Sequence, residues 1–130
     1  RLAGIMKNVL PSFVQSSGLV VEHISRDAGA VEQYRKDPRV HGLISVALLH
    51  SAMSAASAAL KNASNLKKLI LLMHGTGDQI CSHEGSREFA EKTPLVELSL
   101  WEGAYHELHN DHCRHEVFNT IRSWIDDKLS

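Results

Sequence analysis

The second half of the chain alternates between short apolar segments and amphipathic ones. Residues 68–73 are almost continuously apolar and two glycines follow them, which predicts a strand buried on both faces. Residues 95–100 alternate apolar and polar side chains and predict a second strand. A helix is predicted between them, over residues 83–91, and another follows them. The order strand, helix, strand, helix predicts an α/β protein whose parallel strands are joined by helical crossovers.

Helical spacing of apolar residues predicts two longer helices, over residues 43–60 and 111–129. Asn110 or Asp111 is the predicted cap of the second. We expect the apolar stripes of both helices to pack in the core. These stripes are Leu48, Leu49, Met53 and Ala56 in the first helix, and Val117, Phe118, Ile121, Trp124, Ile125 and Leu129 in the second.

The beginning of the chain has weaker patterns. Residues 1–26 are predicted to form irregular or short helical pieces around Pro11 and Gly18. Asp27 is a predicted N-cap for a short helix. That helix should end at the Asp37-Pro38 pair, because a proline disfavours the α conformation of the residue before it.

Composition and charge narrow the classes of protein. Of 130 residues, 43% are apolar and 22% are charged, which is ordinary for one globular domain. The net charge of −1 gives no reason to expect nucleic acid or an anionic membrane as the main partner. The longest apolar run, residues 69–73, is far shorter than the ~20 residues that span a bilayer. Cys81 and Cys113 form no disulfide framework, which favours a reducing, cytoplasmic location.

Candidate chemistry follows the two late strands. Asp78 comes after the first strand in His74-Gly-Thr-Gly-Asp78, and His106 follows the second. Because ligands bind at the carboxyl ends of parallel strands, we expect both side chains at one edge of the sheet. A carboxylate that orients an imidazole makes it a general base, the acid–histidine half of a nucleophilic triad. The simpler alternatives are a polar turn at Asp78 and a surface histidine at His106.

These two segments resemble a known family. Residues 74–78 and 103–110 resemble the late catalytic segments of the monoacylglycerol lipase and lysophospholipase group of α/β-hydrolases, in which the acid also precedes the histidine. Ile24-Ser-Arg-Asp27, followed by Tyr34 and Asp37-Pro38, resembles the cap segment of the same group. The resemblance extends from about Leu10 to the end of the chain.

The resemblance implies a function and a division of the chain. It implies a carboxylic ester hydrolase with a lipid ester substrate and no metal or organic cofactor. Asp78 would be the triad acid and His106 the general base, with Ile80 and Cys81 beside the substrate. Residues 1–65 would form a mostly helical cap or lid that can contact a membrane surface peripherally, and residues 66–130 the C-terminal part of the hydrolase core.

The sequence departs from the family in one respect. The family's nucleophilic serine lies in a GxSxG turn, and no serine of this sequence has that frame. The nucleophile and the early strands would therefore precede Arg1. We accordingly expect a fragment that covers the C-terminal half of the enzyme and is inactive on its own.

Two other functions stay open. A non-catalytic module could complete or pair with a sheet of another chain, and an exposed sheet edge would favour self-association. The tract from His106 to His115 could instead bind a metal, since imidazole and thiolate are good zinc ligands. Its histidines lie three residues apart, however, so they do not share one helix face.

Overall fold

The computed structural model describes residues 13–130, so the part of the predicted irregular segment 1–26 that contains Pro11 lies outside the described residues. The helices are α1 (Ala28–Lys36), α2 (Val46–Asn62), α3 (His83–Glu91) and α4 (Arg114–Leu129), and the strands are β1 (Val14–Ser16), β2 (Leu43–Ser45), β3 (Ile70–Gly75) and β4 (Val96–Trp101). Short 3-10 turns occupy Val21–His23, Ala63–Asn65 and Leu108–Asn110. Among these residues, no helix has the length and apolar character needed to cross a bilayer.

The strands β3 and β4 are parallel, and α3 connects them. Their register pairs Ile70 with Val96 at one end and Gly75 with Trp101 at the other. The predicted parallel α/β arrangement is confirmed, and α3 has the predicted bounds. β3 begins at Ile70, two residues later than predicted. Its side chains are half-buried rather than fully buried among the described residues.

The first half of the described chain contains a second sheet that the sequence pattern does not predict. β1 pairs antiparallel with β2, so residues 43–45 form a strand instead of the predicted first turn of a helix. α2 begins at Val46 because the Ser45 hydroxyl accepts a hydrogen bond from the Leu48 N–H at 3.1 Å. The α1 prediction is confirmed: the Asp27 carboxylate caps the helix, which ends before Asp37-Pro38.

The apolar stripes of α2 and α4 are less buried than predicted. Leu48 and Met53 on α2 are 60% and 68% exposed, and Leu129 on α4 is 82% exposed. Ile121 of the α4 stripe packs against the core, and Val117, which is 1% exposed, lies within it. Val117 packs there with two residues of the loop after β4, Ala104 and Leu108. The core therefore supports the loop that carries His106.

The predicted cap of α4 is wrong. The helix begins at Arg114, and Cys113 at its N-cap position makes no side-chain hydrogen bond to the helix. Asp111 is completely buried, and both of its carboxylate oxygens accept hydrogen bonds from Arg26. The Asp111 carboxylate therefore pairs with an arginine that is distant in sequence and does not cap the helix.

Two glycines allow the loops after β3 and β4 to meet. A Cβ at Gly75 would lie 2.1 Å from the carbonyl oxygen of Ala104, so no larger residue fits without movement of the backbone. Gly103 turns the chain after β4 with a φ of +66°, in the left-handed region that favours glycine. The close approach of these loops brings the two strand ends into one site.

We expect Gly75→Ala to lower the free energy of unfolding by about 1–3 kcal/mol, because the added methyl overlaps the Ala104 backbone. Gly85→Ala on α3 is the control. Apart from its chain neighbours and the backbone of α3 itself, no atom of residues 13–130 lies within 4 Å of its new methyl, and alanine should raise helix stability by about 0.5–1 kcal/mol. Urea unfolding of both variants measures the difference, and similar effects would contradict the close approach.

Candidate active site

The loops after β3 and β4 are joined by hydrogen bonds. The Gly77 N–H donates to the Ala104 carbonyl at 3.0 Å, and the Gly103 N–H donates to the Thr76 hydroxyl at 2.8 Å. The Asp78 N–H donates back to the Gly75 carbonyl at 3.2 Å, which closes a tight turn at the end of β3. These contacts fix Asp78 at the edge of the sheet, facing the β4 loop.

The carboxylate of Asp78 is surrounded by donors. Its side chain is only 2% exposed. Oδ1 accepts hydrogen bonds from the backbone N–H groups of Ile80 at 2.7 Å and Cys81 at 3.0 Å. Oδ2 lies 2.8 Å from Nδ1 of His106 and 3.0 Å from Nε2 of His74. Each oxygen thus has two partners, as a buried charge requires.

These contacts keep Asp78 ionised. Burial is the largest single influence and favours the neutral acid, but the Cys81 N–H, the His106 side chain and the Ile80 N–H together outweigh it. The pKa of Asp78 is therefore below its usual value. At neutral pH the carboxylate only accepts hydrogen bonds, so both imidazoles must donate to it.

That requirement sets the tautomer of His106. Because Nδ1 faces Asp78 Oδ2, Nδ1 carries the proton of the neutral ring and Nε2 presents a lone pair. Among residues 13–130, Nε2 has no hydrogen-bond partner, and 38% of the side chain is exposed. The arrangement can accept a proton at Nε2 and stabilise the resulting imidazolium through Asp78.

His74 is a member of the site that sequence reasoning missed. Its Nε2 lies between two acceptors, Asp78 Oδ2 at 3.0 Å and the Cys81 carbonyl at 3.2 Å, so this nitrogen carries the proton. Its Nδ1 then accepts from the Ser86 hydroxyl at 2.7 Å. The signal available in the sequence was a histidine four residues before the acid, at the end of a strand.

The structure places Ile80 and Cys81 beside the acid, where their backbones bind it. Cys81 is exposed, but partial desolvation of its thiol, followed by the Asp78 charge, raises the pKa of that thiol. A thiol with a raised pKa is poorly ionised at neutral pH, which argues against its use as a nucleophile.

A cavity of about 600 Å³ adjoins the Asp78 turn. Ile80 lies in its wall, together with residues of the chain before α1 and of the β2–α2 region. Leu19, Val20, Leu43, Ile44 and Leu48 make much of this wall apolar. The cavity can hold an apolar group close to the turn that carries the acid.

The histidine-rich tract does not converge on one point. Across the part of the chain that the structure describes, no three His, Cys, Asp or Glu side chains are grouped so that they could hold a metal ion. His109 and His112 are both exposed.

Comparison with known proteins gives the family. Residues 1–113 match the family model described as "Serine aminopeptidase, S33". The chain belongs to this family. The predicted resemblance to the monoacylglycerol lipase group of α/β-hydrolases is thereby confirmed, as the similar proteins of that name show.

Three similar proteins show how much of a relative's length this S33 family member covers. A monoacylglycerol lipase of Mycolicibacterium smegmatis is 26% identical over 95% of the chain and 45% of its own length. The crystal structure of Paleococcus ferrophilus monoacylglycerol lipase has a TM-score of 0.90 and 34% identity, over 95% of this chain and 49% of that one. The crystal structure of a soluble variant of Saccharomyces cerevisiae monoglyceride lipase, in complex with a substrate analog, has a TM-score of 0.85 and 25% identity. The match covers 97% of this chain and 45% of that one. The chain therefore spans about half the length of these relatives.

We expect the contribution of ionised Asp78 to the free energy of unfolding to be lost at acid pH. Because folding lowers its pKa, the contribution is complete above the unfolded pKa of about 3.9 and is lost as the pH falls through the lower folded value. At pH 7 the free energy of unfolding of the wild type should exceed that of Asp78→Asn by about 1–3 kcal/mol. Urea unfolding between pH 7 and 2 measures this gap, which should close only below about pH 4. A gap that persists to pH 2 would contradict an ionised Asp78.

Proposed function

We propose that this chain supplies the acid and the histidine of a serine-dependent carboxylic ester hydrolase resembling monoacylglycerol lipase. One observation carries the proposal: His106 Nδ1 lies 2.8 Å from the ionised Asp78, while Nε2 is left available on an exposed ring. Family membership in the S33 group supports the same chemistry. The nucleophilic serine belongs to a segment outside these 130 residues, since no GxSxG motif occurs in them.

The proposed reaction uses His106 as both base and acid. Nε2 accepts the serine hydroxyl proton as the serine oxygen attacks the ester carbonyl carbon. Asp78 stabilises the imidazolium that forms and remains ionised. The bond to the alcohol then breaks, and Nε2 returns the proton to the departing oxygen. Water repeats the sequence on the acyl-enzyme, releases the carboxylic acid and regenerates the serine.

We propose that the substrate is a lipid ester whose apolar part enters the 600 Å³ cavity. Its apolar wall and the position of Ile80, two residues after the acid, support this assignment. Cys81 is exposed beside Ile80 and is proposed to border the same substrate. The substrate analog bound to the yeast monoglyceride lipase belongs to that protein and supports the substrate class here by analogy.

We also propose that residues 1–65 act as a cap over a core of residues 66–130. The cavity supports this division, because most of its wall comes from residues 17–48 and the rest from the Asp78 turn. Leu48 and Met53 on α2 are exposed, and they could contact the lipid surface from which such a substrate is extracted. Because both cysteines are free, we propose that the protein works in the reducing cytoplasm, at the periphery of a membrane.

The proposal predicts which histidine is essential. In the natural full-length polypeptide, His106→Ala and Asp78→Asn should each lower kcat for a short-chain p-nitrophenyl ester by about 10⁴-fold. His109→Ala is the matched control, because His109 is exposed on the same loop and should leave the rate unchanged. A fluorophosphonate probe should label the full-length polypeptide and should not label the 130-residue chain.

Each outcome has a definite meaning. Equal losses in His106→Ala and His109→Ala would contradict the assigned general base. Turnover by the 130-residue chain would show that a nucleophile lies within it and would overturn the divided triad. Absence of both labelling and turnover in the full-length polypeptide would overturn the hydrolase proposal.

A second candidate function is a non-catalytic module that pairs with another sheet. Within residues 13–130, β3 pairs only with β4, which leaves one edge of each strand without a partner strand. Such edges favour pairing with another chain or self-association. This candidate predicts concentration-dependent oligomers in sedimentation velocity together with no esterase activity, whereas the hydrolase proposal requires activity.

A further inference from the structure

The buried carboxylate of Asp111 is bound by two separate parts of the chain. Oδ1 lies 2.7 Å from Nε and 2.6 Å from Nη2 of Arg26, and it accepts from the His112 N–H at 2.6 Å. Oδ2 accepts from the N–H groups of Arg26 at 3.1 Å and Tyr105 at 3.3 Å. Asp111 therefore links the segment before α1 to the residue that immediately precedes His106.

Other hydrogen bonds extend the same contact. The Glu107 N–H, just after His106, donates to the Ile24 carbonyl at 2.8 Å. The Ser25 hydroxyl donates to the Asn110 carbonyl at 2.8 Å. The backbone on both sides of His106 is thus held, directly or through Asp111, by residues 24–26.

His106 depends on this support because few contacts hold its ring in place. Among the described residues, Asp78 is its one side-chain hydrogen-bond partner, and the ring is partly exposed. A ring held at one point can turn or shift if the loop beneath it moves. Catalysis is sensitive to such movement: a displacement of about 1 Å can cost 10²-fold in rate.

We propose that Arg26 and Asp111 are positioning residues that hold the His106 loop in register with Asp78. The inference rests on the proposed function of His106 as general base. Neither residue touches the reacting atoms in this scheme.

The charge state of Asp111 agrees with this role. Burial is the largest influence and opposes ionisation, but the Arg26 side chain and backbone and the N–H groups of Tyr105 and His112 outweigh it. The pKa of Asp111 is accordingly below its usual value. Without the Arg26 guanidinium, a buried charge would lose its counter-ion, and the loop would move to solvate it.

The test compares two Arg–Asp pairs in the full-length polypeptide. Arg26→Gln removes the counter-ion of Asp111. Arg26→Lys keeps the charge but loses the paired Nε and Nη2 contact. Arg39→Gln is the control, because Arg39 also contacts an aspartate through Nε and Nη2 but belongs to an exposed pair with Asp37.

The first readout is the nuclear magnetic resonance signal of the His106 Nδ1 proton, assigned by its loss in His106→Ala. We expect this downfield signal to move or broaden in Arg26→Gln, to change less in Arg26→Lys and to stay in place in Arg39→Gln. If Arg26→Gln does not fold, Arg26→Lys alone carries the comparison. A folded Arg26 variant with an unchanged signal would overturn the proposal.

The second readout is ester hydrolysis. Arg26→Gln should lower kcat about 10-fold or more and change KM less than about twofold, because the ring is displaced while the cavity is kept. An equal loss of kcat in Arg39→Gln would overturn the proposal. If even the wild-type polypeptide hydrolyses no ester, the proposed function fails, and the proton signal still decides whether Arg26 positions His106.

Discussion

An ionised carboxylate buried at the edge of a sheet is the constraint on which the rest of this structure depends. Asp78 is 2% exposed, and an unpaired charge in such a place would cost several kcal/mol or would simply be neutralised. Four hydrogen bonds offset that cost, two from the following turn and two from imidazoles. Gly75 at the end of β3 and the turn at Gly103 allow the two loops to approach closely enough for those donors to reach the carboxylate.

The same constraint underlies the chemistry that we propose. Since an ionised carboxylate can only accept hydrogen bonds, it selects the Nδ1-protonated tautomer of His106 and directs the Nε2 lone pair away from the acid. His74 donates to the same oxygen through Nε2, so the two rings have opposite tautomers around one acceptor. Stability and the proposed general-base chemistry therefore share one set of contacts. The β4 loop is in turn supported by the small core and by residues 24–26.

The spacing of apolar residues predicted the two parallel strands and the residues at their ends. The apolar run of β3, the alternation in β4 and the tendency of sites to form at strand ends predicted Asp78 and His106 at one edge of the sheet. Asp111 shows where such a prediction fails. Its position before a helix predicted a cap, but its carboxylate binds Arg26, which is 85 residues away in the sequence. The β1–β2 pairing and the exposure of Leu48 and Met53 are likewise settled by tertiary contacts, which periodicity does not contain.

The central claim is that Nε2 of His106 faces the nucleophile while Asp78 holds Nδ1. The most direct measurement is a crystal structure of the full-length polypeptide after reaction with a fluorophosphonate. We expect phosphorus bonded to a serine outside these 130 residues, with the oxygen of that serine about 2.6–3.2 Å from His106 Nε2 and the Asp78 contact intact. Phosphorus on another side chain, or a serine beyond reach of His106, would contradict the claim.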